Sequence, residues 1–177
     1  MKIIKYFLQF IIIIFFFSIF KILGYKKSSD LGAYIFSKLG YLFRSKKVLN
    51  QNLRNINLNE AKTDYKNFIN KIWANYGRIF ADYTSIIDFR KNNLEKFITV
   101  EGIDILKKIK TENKPVVFIS GHFNNFELMA MIIEKNGINL SAIYRPLNNI
   151  FLNRVMERIR KKYICKNQIK KGVSGQE

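Results

Sequence analysis

A polar turn between two apolar stretches constrains the fold of this chain more than any other feature. Residues 115–119 (Pro-Val-Val-Phe-Ile) form a β-branched run typical of a buried strand, and residues 128–133 (Leu-Met-Ala-Met-Ile-Ile) have the composition of an apolar helix. Between them lies Ser-Gly-His-Phe-Asn-Asn-Phe-Glu, residues 120–127. The pattern predicts a strand, a turn and a helix in succession, and such turns carry the sites of open α/β sheets.

The rest of the domain alternates predicted strands and helices in the same way. The additional strands are predicted at residues 97–100 and 140–144. Helices are predicted from a cap at Asp30 to residue 42, at 46–56, from a cap at Asn59 to residue 83, and at 103–110, 125–135 and 149–162. We therefore predict an α/β domain with a mostly parallel sheet and flanking helices. Strand 140–144 would leave an uncovered edge, so we expect the sheet to be incomplete.

The N-terminus carries an apolar run that approaches the length of a membrane span. Residues 11–17 read Ile-Ile-Ile-Ile-Phe-Phe-Phe, and the run extends over residues 6–23, near the roughly 20 residues that a spanning helix needs. No small-x-small cleavage site follows it. We predict a retained membrane anchor at residues 1–25 and one α/β domain at 26–177. Whether the anchor spans or only embeds stays open, and lysines on both sides leave its orientation ambiguous.

The net charge narrows the possible partners, and the cysteine content narrows the possible disulfides and zinc sites. The chain has 31 Lys and Arg against 13 Asp and Glu, a net charge of +18, which favours anionic partners, although a composition rich in Ile, Asn and Lys explains part of the excess. Nucleic acid is disfavoured because the aromatic residues lie at core spacing and no recognised binding module is present. The single cysteine, Cys165, excludes an internal disulfide and is predicted to be a small buried hydrophobe, and no Cys/His cluster could hold zinc.

The only histidine, His122, lies in the turn, with Glu127 five positions later. Residues five apart on one helix point about 140° apart, so the pair can meet only if His122 is on the loop and Glu127 in the first helical turn. Gly121 frees the backbone, and Asn124 or Asn125 can cap the helix. The carboxylate would then fix the imidazole tautomer and leave a general base. Alternatively, Glu127 completes a capping box with Asn124, and His122 is a polar residue at a strand end.

Three stretches resemble one family. Gly-His-Phe-Asn-Asn-Phe-Glu, residues 121–127, is similar to the Gly-His-Phe-Gly-Asn-Trp-Glu motif of the late lipid A biosynthesis acyltransferases, the lauroyl and myristoyl transferases. Asn124 replaces a glycine and Phe126 a tryptophan. Residues 142–149 resemble that family's Tyr-Arg-Pro-Leu-x-Asn segment, and residues 100–104 resemble the stretch that opens the helix before the motif strand. Full members of the family are longer, so we expect this chain to be a C-terminally truncated member that is not by itself a competent enzyme.

The resemblance implies a glycerolipid-acyltransferase-like fold and transfer of an acyl chain from acyl carrier protein to a hydroxyl of a phosphorylated lipid A precursor, without a metal or other cofactor. It implies that His122 is the general base, that Glu127 orients it, and that Asn125 and Arg145 bind substrate. Arg145 also follows the predicted strand 140–144, where a guanidinium can hold a phosphate or an oxyanion. The alternative for Arg145 is a surface arginine before a turn proline.

Related activities stay open at this point. Acylation of another glycolipid or of a phospholipid precursor would use the same dyad, although glycerol phosphate acyltransferases usually carry aspartate at the position of Glu127. A non-catalytic membrane-bound remnant is a further alternative. We expect the inner membrane as the location, with the catalytic domain in the cytoplasm, where the basic domain meets anionic carrier protein and glycolipid.

Overall fold

The computed structural model describes residues 1–42, 46–54, 65–121 and 123–172. These parts of the chain are mainly helical, with one small parallel sheet. The chain divides into two compact units, Met1–Phe17 with Ser85–Glu177, and Ser18–Thr84. Each unit is described by itself below.

The helices are α1 (Lys2–Leu23), α2 (Tyr25–Leu39), α3 (Lys46–Arg54), α4 (Tyr65–Asp82), α5 (Ile86–Arg90), α6 (Ile103–Glu112), α7 (Glu127–Lys135) and α8 (Ile150–Ile159). Short 3₁₀ turns lie at Gly40–Leu42, Tyr83–Ser85 and Glu95–Phe97, and a π-helical turn at Arg160–Ile164 follows α8. The strands are β1 (Ser141–Tyr144) and β2 (Asn167–Lys170).

In the unit Ser18–Thr84, α2 and α4 pack with their backbones in close contact. Gly32 of α2 and Gly77 of α4 lie at the crossing, where a Cβ on either one would overlap the carbonyl oxygen of the other. Only residues without a side chain permit this approach. Beside the crossing, the ring of Phe80 lies 5.4 Å from that of Phe36, and Trp73 is buried against Gly40.

In the other unit, α7, β1, α8 and β2 follow one another along the chain. β1 and β2 pair in parallel, with Ser141 opposite Asn167 and Tyr144 opposite Lys170, and α8 lies in the connection between them. This strand–helix–strand order is the connection that parallel pairing requires. The prediction of an α/β fold with parallel strands and flanking helices is confirmed. Cys165, at the entry to β2, is fully buried as predicted, with Sγ 3.1 Å from the carbonyl oxygen of Leu140.

Two predicted strands do not form. Residues 98–100 and 115–121 have no regular secondary structure, and Val117 and Ile119 are 84% and 93% exposed. A strand needs a neighbour with which to form a hydrogen-bond ladder. Among the described residues that neighbour is missing for 115–120, because β1 and β2 form the one sheet and a cavity separates the segment from β1. The prediction of strands at 97–100 and 115–120 is therefore wrong.

Two further predictions about helix ends have mixed outcomes. The cap predicted at Asp30 is wrong, since α2 begins at Tyr25, one residue after α1 ends, with Gly24 at a φ of 74° between them. The cap predicted at Asn59 lies outside the described residues. The helices predicted at 103–110, 125–135 and 149–162 are confirmed as α6, α7 and α8, with their ends moved by a few residues.

Because Gly32 and Gly77 lie at the crossing of α2 and α4, replacing Gly77 with alanine should lower the stability of the protein instead of raising it. In a helix interior, Gly→Ala normally stabilises by about 1 kcal/mol. Gly77→Ala should instead destabilise the chain by about 1–3 kcal/mol, because the new methyl group overlaps the Gly32 carbonyl. Urea unfolding measures the difference, and Asn70→Ala, at an exposed position of α4, is the matched control that should be neutral or stabilising. A stabilised Gly77→Ala variant would contradict the close backbone contact.

Candidate active site

The turn that carries the sequence motif is described except for His122, which lies outside the described residues. The prediction that His122 and Glu127 form a dyad therefore stays a prediction. On either side of His122, Gly121 and Phe123 are exposed, so the backbone of the turn is at the surface of the unit. This position fits a site that substrates must reach from solvent or from a membrane.

Asn124 takes the conformation that explains why the family motif has glycine at this position. Its φ is +49°, in the left-handed region that glycine and asparagine adopt most readily. The chain then enters α7 through backbone hydrogen bonds from Phe126 N to the Asn124 oxygen and from Leu128 N to the Asn125 oxygen, both 3.2 Å long. Asn124 thus adopts a left-handed conformation that a glycine at the same position would also adopt readily.

The start of α7 differs from the predicted capping. Phe126 is the N-cap residue, with helical backbone angles and no side-chain cap hydrogen bond. The expectation that Asn124 or Asn125 caps the helix is wrong, as is the alternative of a capping box between Asn124 and Glu127. The reason is the left-handed Asn124, which shifts the first helical residue toward Glu127.

Glu127 is the first residue of α7, as the dyad prediction requires, and it is buried. A buried carboxylate is strongly destabilising unless a cation pairs with it. Arg160, the first residue of the π-helical turn, is that cation: its Nη2 and Nε lie 2.6 Å and 2.7 Å from the Glu127 Oε1. The guanidinium is also largely buried, with a side-chain exposure of 12%. These charge-assisted contacts hold the motif carboxylate in one position.

Arg160 is in turn supported by β1. The guanidinium carbon of Arg160 lies 5.9 Å from the centroid of the Tyr144 ring, within the range of a cation–π contact. The Tyr144 hydroxyl donates a hydrogen bond to Oε1 of Glu157 on α8. The same oxygen accepts from Asn153 Nδ2 at 2.9 Å and lies 3.6 Å from Lys170 Nζ on β2. The contacts thus run from the motif glutamate through Arg160 and Tyr144 to α8 and β2.

The contact between Tyr144 and Glu157 changes the pKa values of both side chains. Burial, followed by the hydrogen bond and the negative charge of Glu157, raises the pKa of Tyr144 to about 12. The hydrogen bond from Tyr144 is the main cause that lowers the pKa of the Glu157 carboxyl, against the opposing effect of burial. Near neutral pH the Tyr144 hydroxyl is therefore protonated and donates its hydrogen bond to the ionised Glu157 carboxylate.

The two predicted substrate-binding residues have different surroundings. Arg145 comes directly after β1, as predicted, and its side chain is exposed. Asn125 is half-buried in the turn before α7. Arg145 and the motif turn would share a sheet edge only if residues 115–120 formed a strand beside β1, and these residues form no strand. The sequence therefore placed Arg145 correctly at the end of β1 but not its relation to the motif turn.

A cavity of about 870 Å³ lies beside the motif turn. It is partly open to solvent and is lined by the end of α6, residues 113–120, α7 and β1, so it adjoins the segments that enter and leave the turn. Its apolar lining includes Ile109, Val116, Phe118, Ala130, Ile133 and Ala142. The volume is in the range of small-molecule sites. Sequence patterns could not predict this cavity, because it lies between residues 115–120 and β1, which the patterns predict to be parts of one sheet.

Sequence reasoning also missed Arg160, Tyr144 and Glu157 as parts of the site. Arg160 lies in the run Arg-Ile-Arg-Lys-Lys, residues 158–162, where any of the four basic side chains could have been a surface charge. Helical periodicity would place Glu157 on a polar face without assigning a partner. Only the tertiary approach of α7, β1 and the π-helical turn selects these three residues.

Comparison with known proteins identifies the family. A family model described as bacterial lipid A biosynthesis acyltransferase matches residues 1–168. The chain belongs to the bacterial lipid A biosynthesis acyltransferase family. No curated protein and no solved structure matches it. The family assignment agrees with the resemblance of residues 121–127, and it supports acyl transfer in lipid A biosynthesis as the general activity.

The lowered pKa of Glu157 predicts an acid-sensitive contribution to stability. A carboxyl whose pKa is lower in the folded state stabilises the fold above its unfolded pKa, and this contribution is lost as the pH falls through the folded value. Urea unfolding from about pH 7 to about pH 3 should show a steeper loss of stability for the wild type than for Glu157→Gln. Glu101→Gln, at an exposed position, is the control for the removal of one carboxylate. Equal acid slopes of the wild type and Glu157→Gln would contradict the interaction.

Proposed function

We propose that this chain transfers a fatty acyl group from acyl carrier protein to a hydroxyl of a phosphorylated lipid A precursor, with His122 as general base. The observation that carries the proposal is the placement of Glu127, the acid of the family motif. It is buried at the first residue of α7 and fixed there by Arg160. A carboxylate held rigidly beside a turn can orient a histidine of that turn.

In the proposed reaction, His122 accepts the proton of the acceptor hydroxyl as the hydroxyl oxygen attacks the thioester carbonyl. The tetrahedral intermediate then collapses with cleavage of the carbon–sulfur bond, and the imidazolium returns the proton to the leaving thiol of the carrier. The products are an ester and a free carrier thiol, so the step balances without a metal or other cofactor. The positive N-terminal end of α7 lies beside the turn and favours the developing oxyanion.

Arg145 and Asn125 would bind the substrates. Arg145 is exposed at the end of β1, where its guanidinium can take a phosphate of the disaccharide or of the carrier's prosthetic group. Asn125 is half-buried within the motif turn itself and can donate to a substrate oxygen. The net charge of +18 suits both proposed partners, since the acyl carrier and the acceptor are anionic.

The proposed location is the inner membrane, with the catalytic domain on the cytoplasmic side. α1 is the one helix among the described residues that is long and apolar enough for a membrane span, by length and composition. The cytoplasmic side is where the acyl carrier protein would meet the domain. The basic composition of the rest of the chain supports the same side.

The cavity beside the motif turn is the proposed acyl site. Its lining is largely apolar, and it adjoins both residues 115–120 and α7, the two segments that flank the catalytic turn. An acyl chain in this cavity would leave its thioester carbonyl free to reach the turn. This arrangement combines a large apolar pocket with a few polar groups, as ligand sites usually do.

If His122 and Glu127 form the catalytic dyad, a single substitution of either residue should cause a large loss of acyl-transfer activity. His122→Ala and Glu127→Gln should each lower acyl transfer by about a hundredfold or more, because one removes the base and the other weakens its orientation. Glutamine keeps an oxygen that can accept from Arg160 but removes the negative charge that neutralises the buried guanidinium, so Glu127→Gln should be less stable than the wild type. Circular dichroism under assay conditions therefore checks that the variant is folded, and its activity is compared only where it is. The matched control is Glu134→Gln, also on α7, which breaks the 3.2 Å ion pair with Arg90 of α5 but lies away from the turn. Normal turnover by His122→Ala would refute the proposed base.

The cavity predicts selectivity for acyl-chain length. Ala130→Phe and Ala142→Phe each add a ring at a lining position. Transfer of long acyl chains should fall by at least about tenfold relative to that of short chains, since a filled pocket rejects the distal methylenes. Short-chain donors assayed with the same variant are the internal control for intact catalysis. An unchanged ratio of long-chain to short-chain transfer would show that the acyl group binds elsewhere.

A further inference from the structure

The start of α8 is attached to the N-terminal part of α1 by one buried side chain. Asn149, the N-cap residue of α8, is 7% exposed. Its Nδ2 donates to the carbonyl oxygen of Tyr6 at 2.8 Å and lies 3.3 Å from Oε1 of Gln9. All three residues belong to one compact unit, which consists of Met1–Phe17 and Ser85–Glu177. The first part of α1 is therefore bonded within the unit that carries the motif turn.

The same side chain caps α8. Oδ1 of Asn149 accepts from the backbone N–H of Phe151 at 3.1 Å and from that of Leu152 at 3.3 Å. Asparagine, aspartate and serine are about equally suited to this capping role. Of the three, only asparagine has an amide group that can accept from α8 through its oxygen and donate to Tyr6 through its nitrogen. The cap alone therefore does not account for asparagine at this position.

Aromatic rings extend the contact between the two helices. The ring of Phe151 on α8 meets that of Phe7 edge-on at 5.6 Å and lies 5.9 Å from that of Phe10. Ring pairs at these distances stabilise a packed contact. Phe7 and Phe10 are three residues apart, so they lie on one side of α1. The first turn of α8 thus meets α1 through both hydrogen bonds and apolar packing.

The other end of α8 leads into the candidate active site. α8 ends at Ile159, and Arg160 follows at once, with its Nη2 and Nε 2.6 Å and 2.7 Å from Oε1 of Glu127. The ten residues of α8 form a rigid rod about 15 Å long, so a displacement of its start also displaces its end. A displacement of about 1 Å would take these contacts beyond the distance of a good hydrogen bond.

We infer that residues 2–17 of α1 are part of the active-site unit and that Asn149 is a positioning residue, which holds Arg160 against Glu127 through α8. The contact with α1 fixes the start of α8, and α8 carries Arg160 to the buried carboxylate. The effect on catalysis rests on the proposed function, because it requires Glu127 to orient His122. The structural link from α1 to Arg160 does not depend on that function.

Hydrogen exchange of the Arg160 side chain tests the structural link. Nuclear magnetic resonance of the full chain in detergent micelles records the arginine Nε–H signals, and Arg160→Lys identifies one of them by its loss. Asn149→Ser keeps a capping oxygen but is too short to reach Tyr6. It should speed exchange at Arg160 Nε by about tenfold or more, because the ion pair opens more often. Asn148→Ser, the same substitution at the neighbouring exposed position, is the matched control and should leave the rate unchanged.

A change on α1 should have the same effect. Phe10→Ala removes a ring that contacts Phe151, and Phe15→Ala, at an exposed position of the same helix, is its control. Faster exchange at Arg160 in Phe10→Ala but not in Phe15→Ala would support the inference. Wild-type exchange at Arg160 in Asn149→Ser or in Phe10→Ala would overturn it. Equal acceleration at Arg160 and at the backbone amides of the paired strands β1 and β2 would also overturn it, because that result indicates general unfolding.

The effect on catalysis is measured separately, as kcat and KM of acyl transfer. Asn149→Ser should lower kcat by about tenfold, since a small misplacement of a catalytic group is costly. KM for donor and acceptor should stay unchanged, because Asn149 is buried and binds neither in the proposed reaction. Faster exchange at Arg160 with an unchanged kcat would refute the orienting role of Glu127 in the proposed function. Unchanged exchange, with activity still abolished in His122→Ala, would instead refute this inference and leave the proposed function in place.

Discussion

The ion pair between Glu127 and Arg160 is the interaction on which the rest of the site depends. Glu127 is buried because α7 begins at that residue and continues into the interior through Met131 and Ile133. An unpaired carboxylate at this position would be strongly destabilising, so the guanidinium must come from another element. Arg160 meets this requirement only because the chain leaves α8 in a π-helical turn. Because the buried Glu127 carboxylate needs a cation, its ion pair with Arg160 joins the end of α8 to the start of α7.

This dependence extends into the small sheet. Tyr144, at the end of β1, presents its ring to Arg160 and its hydroxyl to Glu157, and Lys170 of β2 lies beside the same carboxylate. A change in the pairing of β1 and β2 would therefore alter the position of Arg160 and, through it, that of the motif carboxylate. The Tyr-Arg-Pro segment thus has a structural part: Tyr144 supports the ion pair. Arg145 next to it is exposed, as its proposed role in substrate binding requires.

Local signals predicted the elements that form through local interactions. The apolar spacing of α6, α7 and α8 and the short stretch Leu-Ser-Ala-Ile-Tyr, residues 140–144, before a turn proline were sufficient to place those elements. A lone histidine five residues before a glutamate was sufficient to identify the turn. Residues 115–120 have the composition of a strand but have no neighbouring strand in the part of the chain that the structure describes, whereas the polar sequence Asn-Gln-Ile-Lys of β2 forms a strand because β1 lies beside it. Strand formation here depends on neighbours rather than composition. Contacts between distant segments likewise decide which arginine of the basic run 158–162 pairs with Glu127, so the sequence alone could not identify Arg160. The cavity lies where residues 115–120 do not pair with β1, and the sequence alone could not predict it either.

Helix α8 connects the two functional parts of this acyltransferase family member. Its first turn is capped by Asn149, which also binds the backbone of α1, and its last turn leads into Arg160, which holds Glu127. The ten residues of α8 have a length of about 15 Å. The contact of Asn149 with α1 and the contact of Arg160 with Glu127 therefore lie at the two ends of one short helix. A displacement of α8 would move both contacts together. The position of Asn149 thus affects the position of the motif carboxylate, although the residue is far along the chain from the motif turn.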